Sequence, residues 1–301
     1  ARRVLASRGF LEACTWSFLS HTQAKRFGGG REGLQLANPI SEELSDMRPS
    51  LLPNLLAAVK KNTFRGFKDV NLCEIGLQYA DVIPSGQRMV ACGVRAGTAT
   101  QYTYVQGLQS SALVHSAFDA KSDAMALLST LGVAKCDILT NAPGWYHPGQ
   151  SGALTLGGKI ILGYFGELHP ALLAEYEIES GAVGFEIFLD AIPAPRSKPS
   201  ARPALKLSDF QAVERDFAFV VDTGITAAHI LKTLAQAEKT LITDIQLFDV
   251  YSGEGLPAGK KSVAVKVTLQ SPERTLAEAD IAAVSKAIVE AAAGFGGQLR
   301  Q

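Results

Sequence analysis

KSVAVKVTLQ, residues 261–270, is the stretch that decides how the last third of this 301-residue chain folds. Val263, Val265, Val267 and Leu269 occupy every second position, the pattern of a strand with one buried face. Working upstream, residues 215–221 read as a strand, Thr226 can cap a helix bearing Ile230, Leu231 and Leu234, and residues 241–251 read as a second strand before a Ser-Gly-Glu-Gly turn. Downstream, Thr275-Leu276-Ala277-Glu278 has capping-box spacing, Ile281, Val284 and Ile288 form a buried stripe, and Gly294 stops the helix before a short strand through Leu299.

The order strand, helix, strand, strand, helix, strand over residues 208–301 is the ferredoxin-like βαββαβ arrangement, in which helices cover one face of the sheet only. Period two assigns the other face. With the valines inward, Ser262, Ala264, Lys266 and Thr268 point outward; with Phe248 and Val250 packed inward, Asp249 and Tyr251 point outward; with Phe217, Phe219 and Val221 inside, Asp216, Ala218 and Val220 lie on the open side. A small Ala218, an aromatic Tyr251, acceptors at Asp249 and Ser262 and a flanking Lys266 are ingredients for stacking and edge recognition of unpaired RNA bases. A small ligand or a protein fits the same face equally well on these grounds. From residue 209 onward there are 12 acidic and 9 basic side chains, so any RNA contact must rest on particular groups rather than bulk attraction.

The length suits two domains. Hydrophobic residues make up 47% and charged ones 19%, with 29 basic against 29 acidic side chains, which excludes a disordered chain and leaves bulk charge naming no partner. Cys14, Cys73, Cys92 and Cys136 are too widely spaced for a zinc site and read as reduced thiols. No apolar run reaches the ~18 residues of a membrane span, and a cytoplasmic location is expected. The opening residues enter a helical pattern at once, as in a segment cut from a longer protein. Between the domains, residues 191–207 carry prolines at 193, 195, 199 and 203 and the cations Arg196, Lys198, Arg202 and Lys206, either a solvated linker or a basic strap touching phosphate.

Residues 1–190 read as a mixed α+β domain. Residues 12–19, 70–79, 89–95 and 182–189 are strand-like, and Gly157-Gly158 splits two further strands with a two-residue hairpin. A helix within residues 47–62 presents Leu52, Leu55, Leu56 and Val59, with Ser50 as cap and Pro53 in the first turn, and residues 119–131 form another ending at Gly132. His21, His115, His147 and His169 are dispersed without triad or metal spacing and read as structural. Gly28-Gly29-Gly30 follows no strand and reads as a flexible tip; Gly294-Phe295-Gly296-Gly297 reads as helix stop plus edge strand rather than a nucleotide loop.

Asn38-Pro39-Ile40-Ser41-Glu42-Glu43-Leu44-Ser45-Asp46-Met47-Arg48 with Ser50-Leu51-Leu52-Pro53-Asn54-Leu55-Leu56 closely resembles a signature of the beta-subunit family of bacterial phenylalanyl-tRNA synthetases. Further pieces, Gly9-Phe10-Leu11-Glu12, Glu74-Ile75-Gly76, His147-Pro148-Gly149, Gly163-Tyr164-Phe165-Gly166-Glu167-Leu168-His169-Pro170, Phe248-Asp249-Val250-Tyr251 and Lys260-Lys261-Ser262, occur in the family's order along the chain. The resemblance implies that residues 1–190 are an inactive relative of the class II synthetase catalytic domain, an antiparallel sheet domain without an ATP site. In keeping with that, no strand-borne arginine with a nearby glutamate is apparent. The implied role is packing against the catalytic alpha subunit, with Leu52, Leu55 and Val59 partly facing it. Residues 208–301 are implied to bind the tRNA(Phe) anticodon through Ala218, Asp249, Tyr251, Ser262 and Arg300, with Arg196, Lys198, Arg202 and Lys266 available for phosphate. The implied holoenzyme has two alpha and two beta subunits and uses ATP and magnesium. No cofactor or metal is expected on this segment, which alone should not catalyse. The alternative is a structural interaction protein whose tail binds a small ligand or protein.

Overall fold

A computed structural model describes residues 1–99, 113–194 and 207–300, and the chain divides into two units, Ala1–Lys198 and Pro199–Gln301. Arg196, Lys198, Arg202 and Lys206, read above as a solvated linker or a basic strap, lie outside the described residues.

The first unit is built on a seven-stranded sheet: β1 (Leu11–Glu12), β2 (Val70–Tyr79), β3 (Gln87–Ala96), β4 (Asp137–Leu139), β5 (Tyr146–Leu156), β6 (Ile160–Leu168) and β7 (Ala182–Phe188), in the order β1-β2-β3-β7-β6-β5-β4. Every pairing is antiparallel except β1 with β2. Alternation on β3 splits its side chains between two cores. Val90, Cys92 and Val94 pack with Leu52, Leu55, Leu56 and Val59 of helix α1 (Leu52–Phe64), whereas Ala91 joins Phe185 and Ile187 beneath Ala124, Leu127 and Leu128 of helix α2 (Ala117–Thr130). Both sheet faces are therefore covered, which explains the near-continuous apolar run of β7.

The α1 stripe is fully buried, at 0% exposure for Leu52, Leu55 and Val59. This corrects the expectation that those residues partly face a partner; the sheet takes the whole stripe. The helix starts at Leu52 with Leu51 in the cap position, while the Ser50 hydroxyl donates to Glu186 at 2.5 Å and accepts from the Leu52 amide at 3.0 Å. Residues 12–19 do not form one strand: β1 is short, and Phe18–Leu19 pairs instead with Asp46–Met47, with Arg48 binding the intervening Trp16 carbonyl at 3.3 Å. At the β5–β6 hairpin, Gly157 and Gly158 have φ of 58° and 69°, the double positive-φ turn that the dipeptide forecast. Gly28-Gly29-Gly30 is not a loose tip: a Cβ on Gly29 would lie 2.8 Å from Pro49, so the segment is packed.

The second unit contains β8 (Val213–Asp222), helix α3 (Ala227–Ala237), β9 (Ile242–Tyr251), β10 (Lys260–Leu269), helix α4 (Glu278–Ala293) and β11 (Gln298–Leu299), with sheet order β9-β10-β8-β11. Phe219, Val221, Val263, Val265, Val267 and Leu269 form the core with Ile230, Leu234, Val284 and Ile288 from the two helices. Thr226 accepts from the His229 amide and starts α3. The α4 start lies beyond the Thr275–Glu278 box: Asp280 accepts from the Ala277 amide at 2.9 Å and from both Arg274 guanidinium nitrogens.

Candidate nucleic-acid interface

The open face of the second sheet can be written as rows, because directly opposed residues in antiparallel strands share a face. Asp249 pairs with Ala264 and Ala264 with Ala218, and the Arg300 amide donates to the Ala218 carbonyl at 2.8 Å. One row thus runs Asp249, Ala264, Ala218, Arg300 from edge to edge. The adjacent row is Tyr251, Ser262, Val220, Gln298. Four strands place the two edge backbones about 14 Å apart, three spacings of ~4.8 Å. Nevertheless, the Arg300 guanidinium carbon lies 5.8 Å from the centroid of the Tyr251 ring. The Arg300 side chain therefore reaches inward over the sheet toward the ring, and the two alanines leave a low floor in its row.

Beneath that roof Ser262 is 4% exposed although its register puts it on the helix-free side. A ligand reaching its hydroxyl must first displace the cover. The Tyr251 ring remains 39% exposed and is tethered at its far end, its hydroxyl donating to the Glu254 carbonyl at 3.0 Å. Tyrosine held by two soft torsions and one end contact offers a flat surface at low entropic cost, the requirement for stacking an unpaired base.

The next rows along the face have different chemistry. Asp216 pairs with Lys266, which pairs with Gln246, and Glu214 pairs with Thr268, which pairs with Asp244. Lys266 is engaged by Glu214 at 2.8 Å, and that hydrogen-bonded carboxylate raises the ammonium above the ordinary lysine range. This end of the face carries more negative than positive charge, so a phosphate approaching Lys266 must compete with Glu214.

The expectation that Phe248 and Val250 pack inward fails at both residues. Register shifts between Leu247 and Asp249 leave Phe248 in a bulge, 56% exposed instead of packed inward. Val250 pairs with Val263 on edge strand β9 but is 49% exposed and does not join the core. Strict alternation cannot register a bulge. Asp249 and Tyr251 keep their outward assignment because they follow it.

Arginine and carboxylate pairs occur in the first unit, and the strand-borne one, Arg95, meets an aspartate rather than a glutamate. Arg48, just after a strand, binds Glu74 at 2.8 Å, Thr15 at 2.9 Å and the Leu77 carbonyl at 2.9 Å, and Arg95 on β3 binds Asp123 at 2.6 Å. Both ends of the first pair are buried, at 3% and 5% exposure, and a Cβ at Gly76 would sit 2.6 Å from the Arg48 guanidinium. Glu186 is likewise buried and accepts from Ser50, Trp145 and Tyr146. Burial raises its carboxyl above the usual range, and the three donors partly oppose that. These groups are committed to one another. His147 and His169 act alike in their His-Pro pairs, each ring Nδ1 accepting the amide two residues on, from Gly149 and Ala171 at 3.1 Å.

The family model described as phenylalanyl tRNA synthetase beta chain CLM domain matches residues 1–189, and that described as ferredoxin-fold anticodon binding domain matches residues 208–300. The phenylalanine–tRNA ligase beta subunit of Brucella abortus (strain 2308) is 49% identical over 304 residues, covering 100% of this chain and 38% of that protein. The beta subunit from Paramagnetospirillum magneticum is 46% identical over 303 residues, covering 99% and 37%. The chain thus spans less than two fifths of the length of these curated relatives. Among solved structures, a pyrrolysyl tRNA synthetase from Desulfitobacterium hafniense aligns at 17% identity with a TM-score of 0.47 over 64% of each chain.

Proposed function

This chain belongs to the family of phenylalanyl-tRNA synthetase beta chains, and from that premise we propose that its C-terminal unit recognises the anticodon of tRNA(Phe). The observation that carries the reading is the meeting of Tyr251 and Arg300 over the Ala218–Ala264 floor, in a row that ends at Asp249. A splayed base stacks on the Tyr251 ring, Asp249 accepts from base N–H groups, and the Ser262 hydroxyl is reached once the arginine lifts. A stacked base occupies ~3.4 Å, so sandwiching it between ring and guanidinium requires ~7 Å. Against the present 5.8 Å, this reading has Arg300 move outward on binding.

The first unit, in this reading, is a platform that assembles with a catalytic alpha subunit in a complex of two alpha and two beta subunits. ATP and magnesium act on that partner, and the segment itself does no chemistry. Supporting this, the buried Arg48, Glu74 and Glu186 are already hydrogen-bonded within the unit. A cytoplasmic setting fits such a role; no helix among the described residues is long and apolar enough to cross a membrane.

The test is Tyr251→Ala in the beta subunit assembled with its partner, titrated with tRNA(Phe) and with the same tRNA carrying a swapped anticodon. Loss of a stacked base is worth about 1–3 kcal/mol, roughly 5- to 150-fold in cognate affinity, with the swapped tRNA unchanged. Equal affinity of parent and variant for tRNA(Phe) would refute the assignment and favour the small-ligand reading of this face.

A further inference from the structure

The hairpin that joins β9 to β10 contains three glycines with two different physical signatures. Gly255 and Gly259 have φ of 87° and 76°, and a Cβ at either would meet nothing within 4 Å. Those two serve the backbone turn. Gly253 has no positive φ, so no left-handed turn calls for glycine there, yet a Cβ would lie 2.7 Å from the Tyr251 hydroxyl oxygen, 2.9 Å from Cζ and 3.3 Å from Cε2. The demand for glycine at 253 is a contact demand, and the group contacted is the aromatic ring on the open face.

We propose that Gly253 is a positioning residue for anticodon recognition: its bare backbone forms the seat against which the Tyr251 ring is set, and the neighbouring Glu254 carbonyl latches the hydroxyl there. This rests on the reading of Tyr251 as a base-stacking surface. The ring has a fixed seat at its hydroxyl end and the Arg300 guanidinium 5.8 Å from its centroid. A methyl group at 253 needs about 0.7 Å more room to reach ordinary contact. Because the obstructing atoms are the far end of a partly exposed side chain, the ring moves and the fold does not. That motion stretches the 3.0 Å bond to Glu254 and tilts the platform relative to Asp249 and Arg300. A displacement of this size is enough to spoil stacking, since recognition depends on placement to within about 0.5 Å.

The experiment is a double-mutant cycle in the beta subunit assembled with its catalytic partner, measuring tRNA(Phe) affinity for the parent, Gly253→Ala, Tyr251→Ala and the double variant. Gly253→Ala is expected to weaken binding 3- to 20-fold with an unchanged thermal midpoint and unchanged ATP–pyrophosphate exchange, which needs no tRNA. In the Tyr251→Ala background the same substitution should change affinity less than twofold, because no ring remains to be displaced. Tyr251→Phe, which keeps the ring and loses the latch, should fall between the parent and Tyr251→Ala. The proposal is overturned if Gly253→Ala has no effect while Tyr251→Ala does, or if its effect is the same with and without the tyrosine ring. Tyr251→Ala binding like the parent would instead remove the stacking reading itself, an outcome distinct from either.

Discussion

Replacing Arg300 by Met should weaken tRNA(Phe) binding less than replacing Tyr251 by Ala, although both residues belong to one contact. In the free protein the guanidinium sits 5.8 Å from the ring centroid, a cation–π pair at an exposed site worth about 0.5–1 kcal/mol. A base entering the site breaks that pair and recovers a similar amount by lying against the displaced guanidinium. Arg300→Met deletes both terms, one from the free state and one from the bound state, and it also uncovers the platform. The residual loss is therefore under ~1 kcal/mol, about fivefold or less, against the 1–3 kcal/mol of a lost stacking surface. Filter-binding titrations between 50 and 200 mM salt separate this from a phosphate contact. Neutralising one phosphate of a single strand contributes ~0.7 to the slope of log affinity against log salt, so the Met variant should keep the parent slope. An Arg300→Met loss as large as that of Tyr251→Ala, with the slope reduced by about 0.7, would mean that Arg300 holds backbone and that its position over the ring is incidental.

Four further outcomes follow from the two cores and the edge strand. Leu55→Ala removes a fully buried side chain from the interface of α1 with the sheet and should cost about 2–5 kcal/mol in urea unfolding; a cost below ~1 kcal/mol would mean that this stripe is not core. Phe248→Ser should change stability by less than ~1 kcal/mol, since the ring sits in an exposed bulge, whereas a loss near 3 kcal/mol or more would restore the inward placement. Glu186→Gln should flatten the dependence of unfolding free energy on pH. The native carboxyl is held above its ordinary value by burial, so the native state retains the proton that the unfolded state has released, and stability falls as pH rises from the ordinary glutamate value of 4.5 through the raised native one. Parent and Gln variant showing the same pH profile across that window would contradict the raised value. Burial likewise pushes the Cys73 thiol up to about 11, so alkylation near neutral pH should label exposed Cys14 well before Cys73; equal labelling rates would count against the buried placement.

What the sequence makes legible here depends on how far apart the interacting residues lie along the chain. The open face of the second unit is readable because its rows follow from period two within single strands, and β10 has no interruption to confuse the count. Even so, alternation assigned Phe248 to the wrong side, since a bulge is a pairing irregularity between two strands and leaves no trace in the periodicity of one. Arg300 lay beyond periodicity altogether; it enters the site through a backbone bond to Ala218, 82 positions earlier in the chain, and only resemblance singled it out. The same limit hides the buried polar groups of the first unit. Ser50 reads as a plain helix cap, and the sequence carries nothing to tie it to Glu186, whose other donors, Trp145 and Tyr146, come from yet another element. Gly253 shows the limit most sharply. In the sequence it is one of three glycines in a turn, and all three read as turn chemistry. Only the separation of dihedral demand from contact demand sets it apart, and that separation turns an ordinary hairpin residue into the seat of the ring on which the proposed recognition depends.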